Sequence, residues 1–492
     1  MEYKIMSEKN KKLGVMALSA LVVSAMIGGG IFSMPQNIAQ GASVMAVAAA
    51  WIISGVGIFF LAETFRILAE VRPDATTGIY AYARIGFGRF AGFQIAWSYW
   101  LCNIFGNVAY AVLLMDAMNY FFPGVFAGGN NIWSLIGGSM VIWLMNFAVL
   151  RGIRQAAYIN TAGTFCKLVP LAIFIAVMLF AFRWSCFTTD MFGTETVKAL
   201  ELKPLGSFLG QIKSTMMVTL WAFIGIEGAV VISSGADSQR SVGRATMIGF
   251  AGCLAIYVML SLLPFGIMSQ GELANLNNPS TAEILRQTLH ASWGGVIMNL
   301  GVIIALLTSW LAFTIMIAQI PYAAAKDGTF PRIFAHENCC NAPDISLFVT
   351  STIMQLTMIL VYFANNAWNT MLSITSVMIL PAYFACTLYL WKVCAKKQYP
   401  ASASVKLTFA TICGAAGSIY ALWMIYAAGI KYLAMTFIFL AAGIPVYIWA
   451  AKERHNGQRR HCFTAPELLA AILIVIIAVI SAVSAINGDI KL

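Results

Sequence analysis

The stretch Met26-Ile27-Gly28-Gly29-Gly30-Ile31-Phe32 lies in the middle of the first apolar segment of this 492-residue chain. Each glycine inside a helix costs about 1 kcal/mol relative to alanine. Three in succession, at a depth where water cannot solvate the backbone, predict an opened helix. Open backbone at that depth is tolerated only where protein buries it or a cavity borders it. A second interruption, Phe223-Ile224-Gly225-Ile226-Glu227-Gly228, falls in the sixth apolar segment. Paired interruptions at corresponding places in two halves of a chain point to the binding site of a membrane transporter.

The rest of the chain fits a membrane setting. It is 60% hydrophobic and only 10% charged, where a soluble domain carries about 25% charge. It reads as an all-α polytopic membrane protein, with the lipid bilayer as a partner. A helix needs about 20 apolar residues to cross the hydrocarbon. That rule predicts thirteen spans, near 13–39, 42–62, 90–118, 131–150, 157–182, 209–232, 244–268, 292–322, 345–363, 367–392, 406–427, 431–451 and 465–487. The polar, basic N-terminus and the long first segment do not read as a cleavable signal.

Net charge is +11, but it is spread over short loops, so no nucleic-acid partner is expected. The ten cysteines are scattered, many within apolar segments, and read as small buried hydrophobes. No CxxC or Cys/His spacing appears, so neither a metal nor a cofactor is expected. P-loop, nucleophile elbow, HExxH and dinucleotide fingerprint are all missing, and GFGRF at 86–90 is too weak a phosphate signature. An enzyme is therefore not expected.

Orientation follows the lysines and arginines. With the N-terminus in the cytoplasm, 22 of the 30 fall on inside segments, 7 outside, and Lys167 within a span. The two interruptions open spans 1 and 6, which are five spans apart. Five is odd, so the two units run in opposite senses and form a 5+5 inverted repeat. The expected organisation is a cytoplasmic tail at 1–12, a first five-helix repeat at 13–182, a second, inverted repeat at 207–395, and additional spans at 405–487.

Several residues carry possible chemistry. Where span 1 opens at Gly28, Gly29 and Gly30, unpaired N–H groups at the start of the second half-helix can hold a carboxylate. A small-residue packing face is the plainer reading. Glu227, ionisable in an apolar run, is a candidate proton site, gate or counter-charge, or else a structural partner of opened backbone. Trp221 and Phe223 are candidate lids over a cationic ligand, or core aromatics. Lys167, followed by Pro170, lies too deep to snorkel; it stands in for a sodium ion or pairs with a carboxylate. Tyr99, Asn103, Gly106, Asn107 and Tyr110 form a polar stripe on span 3 at helical spacing, with Cys102 beside it. Such a stripe faces a cavity or another helix. Trp310 in span 8 is either an aromatic wall or a packing residue.

Four segments resemble one family. MIGGGIFSMPQNIA at 26–39 resembles the broken first helix of the amino acid–polyamine–organocation superfamily, and TLWAFIGIEGAV at 219–230 resembles its sixth helix. GIYAYARIGFG at 78–88 is similar to its second intracellular loop, and YAAAKDGTFPRIFA at 322–335 to the loop after helix 8. The similarity runs over roughly 13–395. It is strongest to the basic amino acid/polyamine antiporters, particularly those that exchange arginine for ornithine or agmatine.

The resemblance implies roles at matching positions. Gly28, Gly29 and Gly30 match the backbone that receives the substrate carboxylate. Met26 lines the same segment, and carbonyls near Trp221 and Ile224 match those that receive the amino group. Trp221 matches an aromatic gate, Glu227 a gating or proton-sensing carboxylate, and Trp310 a tryptophan stacked on the substrate. Asn107 matches an amide near the guanidinium, Cys102 lines that wall, and Lys167 resembles the lysine that replaces sodium. Two positions depart: relatives can carry serine where this chain has Gly29, and an arginine/agmatine exchanger would have serine where it has Leu306.

The expected function is sodium-independent antiport of external arginine against internal agmatine or ornithine, by alternating access, in a bacterial cytoplasmic membrane. A homodimer is one arrangement open to it. The alternative is a proton-coupled amino acid permease, which would not need internal substrate.

Overall fold

A computed structural model describes residues 14–75, 78–151, 153–193, 204–227, 238–364, 366–454 and 462–487. The tail at 1–12 and the second half of span 6, from Gly228, lie outside the described residues. All regular structure in the described residues is helical.

The principal helices are α1 (Val15–Met26), α2 (Met34–Ala39), α3 (Val44–Val71), α4 (Arg89–Met118), α5 (Ile132–Leu150), α6 (Ile153–Ala181), α7 (Phe208–Ala222) and α8 (Gln239–Leu262). They continue as α9 (Ser292–Lys326), α10 (Asp344–Val361), α11 (Ala367–Ala395), α12 (Leu407–Arg454) and α13 (Ala465–Ile486). Their ends follow local chemistry. The Ser207 hydroxyl caps α7 by accepting from Gly210 N–H at 3.2 Å. Thr464 and Glu467 form a reciprocal capping box at α13. Gly88, at φ +98°, turns the chain sharply between the short helix Ile79–Phe87 and α4.

Among the described residues, nine helices are long and apolar enough to cross a membrane, or ten if the bent pair α1–α2 is one span. The sequence predicts thirteen, and the difference has identifiable sources. α12 is 48 residues long, about 72 Å at 1.5 Å per residue, more than twice the hydrocarbon thickness. Gly429, at φ +76°, interrupts it between the two spans expected there. α7 has only 15 residues before its helix stops. α6, at Ile153–Ala181, is 29 residues long, enough for the span expected there, and is not among the nine.

α4 and α11 form the interior of the bundle. The best 18-residue windows of α4 and α11 are 83% and 78% buried, against 17% for α13, which turns most of its surface outward. Aromatic anchors fill this centre: Trp100, Trp310, Tyr257 and Tyr383 are fully buried. Small residues let helices approach. A side chain on Gly301 of α9 would meet the Pro170 ring of α6 at 2.5 Å, so the proline ring of one helix nests on the glycine of the other. At one end of the bundle the two loop motifs meet. Arg84 pairs with Asp327 at 3.0 Å, and Tyr80 donates to the same carboxylate at 3.1 Å.

Candidate functional site

The first break is as the three glycines predict. α1 ends at Met26, Ile27 and Gly28 leave the helix, a 3-10 turn covers Gly29–Ser33, and α2 follows. The two parts are bent by 47°. Pro35 sits in the first turn of α2, where its missing N–H costs no hydrogen bond. Gly28 N–H turns back to the Met26 carbonyl at 3.0 Å. Gly29 and Gly30 precede the first hydrogen bond of the 3-10 turn, so their N–H groups are open.

Each of the three glycines faces a different side chain. A methyl on Gly28 would overlap the Tyr110 hydroxyl, one on Gly29 the end of Leu306, and one on Gly30 the rings of Trp221 and Trp368. The two departures from the family pattern, Gly29 and Leu306, are thus in contact: the larger residue on α9 fills the space that the glycine leaves.

The second break follows α7. Phe223 through Glu227 form consecutive turns. Their N–H groups are largely used, Phe223 to the Leu220 carbonyl, Ile224 to Trp221 and Ile226 to Phe223. Gly225, at φ +107°, brings the two breaks together. A side chain there would lie 2.9 Å from both the carbon and the oxygen of the Ala25 carbonyl.

Glu227 is held by three donors. Its Oε1 accepts from the Tyr99 hydroxyl at 2.9 Å, and its Oε2 from the Tyr383 hydroxyl at 2.9 Å and Gly225 N–H at 3.1 Å. It therefore joins α4, α11 and the second break. Lys167 is fully buried, and its Nζ donates to the Ser24 carbonyl at 2.8 Å and the Ser24 hydroxyl at 3.2 Å. Ser309 Oγ stands 3.4 Å away. No carboxylate pairs with it among the described residues, and Lys167 bridges α6, α1 and α9.

Between the breaks lies a cavity of about 30 Å³, lined by Ala25, Met26, Gly28, Cys102, Asn103, Gly106, Asn107, Tyr110, Trp221, Ile224, Phe313 and Thr375. A buried water needs about 10–15 Å³ on the same measure, so the walls must part for anything larger than a water or two. No charged side chain lines it. Its polar edge comes from the amides of Asn103 and Asn107 and the hydroxyls of Tyr110 and Thr375. Asn107 Oδ1 and Thr375 Oγ, both beside the cavity, have no hydrogen-bond partner among the described residues. An unpaired buried polar atom costs about 1–3 kcal/mol, a cost that a polar group entering the cavity would relieve.

Of the residues singled out in the sequence, Met26, Gly28, Cys102, Asn103, Gly106, Asn107, Tyr110, Trp221 and Ile224 line this cavity. Gly29 and Gly30 sit beside it in the same break. Glu227 and Lys167 lie outside its walls, in the frame that holds the breaks. Trp310 is fully buried and also outside them; Phe313, nearly one turn along α9, takes the wall. Phe313, Thr375 and Trp368 were not singled out. Trp368 packs edge-on against Trp221 at 5.6 Å. No local signal marks them, because each is one apolar or weakly polar residue within an apolar helix.

The chain is similar to known transport proteins over nearly its whole length. The family described as amino acid permease matches residues 13–450. A Chlamydia abortus protein named arginine/agmatine antiporter is 56% identical over 92% of both chains. One of the same name from Chlamydia pneumoniae is 55% identical over 92% of this chain and 93% of its own. A Clostridium perfringens protein, whose name says only amino-acid transporter, is 54% identical over 96% of this chain and 98% of its own. With a broken first helix, a second break against it and a match of this extent, the chain is a multi-pass membrane transporter that belongs to the amino acid permease family, within the amino acid–polyamine–organocation superfamily.

Proposed function

We propose that the protein exchanges external arginine for internal agmatine across a bacterial cytoplasmic membrane, by alternating access. One observation carries this reading: an uncharged cavity lies between two oppositely polarised helix ends. On one side are the open N–H groups of Gly29 and Gly30, at the positive start of the second half-helix. On the other is the carbonyl end of α7, at Trp221–Ile224. This polarity suits a ligand that carries a carboxylate and an ammonium. The Trp221 ring, the Tyr110 and Phe313 rings and the Asn107 amide suit an extended cationic side chain. The names of the Chlamydia relatives supply the ligand pair.

The remaining roles follow from position. Trp221, against Trp368, serves as a gate. Glu227 ties helix movement to α4 and α11, Trp310 backs the substrate wall, and Lys167 holds the place a sodium ion would need between Ser24 and Ser309. The meeting of the two breaks at Gly225 and Ala25 supports two inverted repeats, at 13–182 and 207–395, with 405–487 added. The lysine and arginine bias puts the N-terminus in the cytoplasm. Arginine and agmatine differ by one charge, so exchange moves charge and responds to membrane potential by about 2.3 kcal/mol per 100 mV.

The test is counterflow in proteoliposomes. Vesicles loaded with arginine or agmatine take up labelled arginine quickly, and empty vesicles do so poorly. An ornithine-loaded set decides whether ornithine serves as counter-substrate. Equal uptake into empty vesicles turns the reading into a proton-coupled permease, and a sodium requirement removes the role given to Lys167.

A further inference from the structure

Four tyrosine hydroxyls surround the two helix breaks, and three are committed. Those of Tyr99 and Tyr383 donate to Glu227 at 2.9 Å each. That of Tyr257 donates to the Met26 carbonyl at 2.8 Å. The fourth, Tyr110, makes no hydrogen bond to any described residue. Its ring is fixed edge-on against Phe313 at 5.9 Å, and the residue lines the cavity. The hydroxyl points at the first break, where a side chain on Gly28 would collide with it. It therefore stands beside the peptide that leads into the open Gly29 and Gly30 N–H groups.

A phenol brings one donor hydrogen. Next to open N–H groups, with no acceptor of its own, that hydrogen calls for an anionic oxygen from the ligand. Bonds to an ionised acceptor are also about twice as strong as neutral ones. We propose that Tyr110 donates to the carboxylate of the bound amino acid and sets the site's preference for the amino acid over its decarboxylated amine. The proposal rests on the arginine/agmatine reading. Agmatine has no carboxylate, so it gains nothing from the hydroxyl. Tyr110 thereby tunes the two half-reactions of exchange separately: it holds arginine and is indifferent to the amine that leaves in return.

Calorimetric binding of L-arginine, L-argininamide and agmatine to purified protein, native and Tyr110→Phe, tests this. Phenylalanine keeps the ring and its contact with Phe313. The expected result is about a tenfold loss for arginine, the scale of one hydrogen bond to a charged group, with argininamide and agmatine changed by less than about twofold. The readout is a ratio of affinities on one preparation, so an unfolded fraction cancels. Tyr110→Leu, which also removes the ring, must show the same arginine-selective shift on top of any general loss. Equal changes for all three ligands, or none, overturn the proposal while the antiport reading stands. Native protein that binds neither arginine nor agmatine overturns that reading and the Tyr110 role with it.

Discussion

In the first break the backbone stays in ordinary territory, with Ile27 at φ −82° and Gly28 at −88°, while in the second Gly225 sits at +107°. Their surroundings differ in the same way. The first-break glycines make room for side chains, those of Tyr110, Leu306, Trp221 and Trp368. Gly225 makes room for the backbone of Ala25. The first break leaves N–H groups open. The second consumes most of its own in turns and hands one, from Gly225, to Glu227. The first break is thus adjustable, since its neighbours can change size, and the second is a fixed bearing against which the first sits.

The largest expected effect tests the fixed member. Gly225→Ala forces a side chain into a positive-φ conformation, at about 1–3 kcal/mol. It also drives a methyl against a main-chain carbonyl, and overpacking of this kind costs about 1–3 kcal/mol more. The yield of monodisperse protein and its melting temperature should both fall, and exchange should be lost. No substitution at Ala25 can rescue it, because the clash is with backbone. A Gly225→Ala protein that melts like the native one would erase the distinction between the breaks.

Glu227→Gln comes next. The amide's NH2 can only donate, so the Tyr99 hydroxyl must turn from donor to acceptor, and the bonds from Tyr383 and Gly225 lose the strength an ionised acceptor gives them, at about 1–3 kcal/mol. Counterflow should slow by about tenfold, while arginine affinity changes little because Glu227 is outside the cavity wall. Native exchange rates with a lowered melting temperature would make Glu227 a structural tie only.

The sequence made the breaks legible because glycine runs and a buried carboxylate are rare in apolar helices, and rare residues signal. The same physics announced the end of α7. It also set apart the spans at 406–427 and 431–451, and the helical path of α12 is interrupted between them, at Gly429. It could not separate Trp310 from Phe313 as wall residues. They are three positions apart on one helix, and which one faces the cavity depends on the rotation of α9 against α4. The Tyr99–Glu227–Tyr383 tie joins segments 128 and 156 residues apart, and no local pattern encodes such pairing. The contact of Gly29 with Leu306 was hidden for the same reason, although each stood out alone.

Trp310 offers a smaller effect. If it closes on the ligand when the walls part, Trp310→Leu weakens arginine binding by about 1–2 kcal/mol, the range for a desolvated cation–π contact. Trp310→Phe and Trp310→Tyr keep a π face and lose less. If it only packs, all three variants melt earlier and bind arginine alike. Binding isotherms and melting curves on the same preparations separate the outcomes.

The smallest net change is expected where the first break is altered at two places together. Gly29→Ala alone puts a methyl into the end of Leu306, and Leu306→Ala alone leaves a hole in the packing of α9. A buried Leu→Ala change costs about 2–5 kcal/mol, and an overpacked site about 1–3 kcal/mol. Together the two alanines relieve the clash and partly fill the hole. The double variant should therefore be more stable than the sum of the singles by about 0.5–3 kcal/mol, the usual coupling between residues in contact. Melting of the four proteins gives that coupling directly. Zero coupling would mean that Gly29 is required by the backbone itself, as Gly225 is, and the two breaks would then be rigid for the same reason.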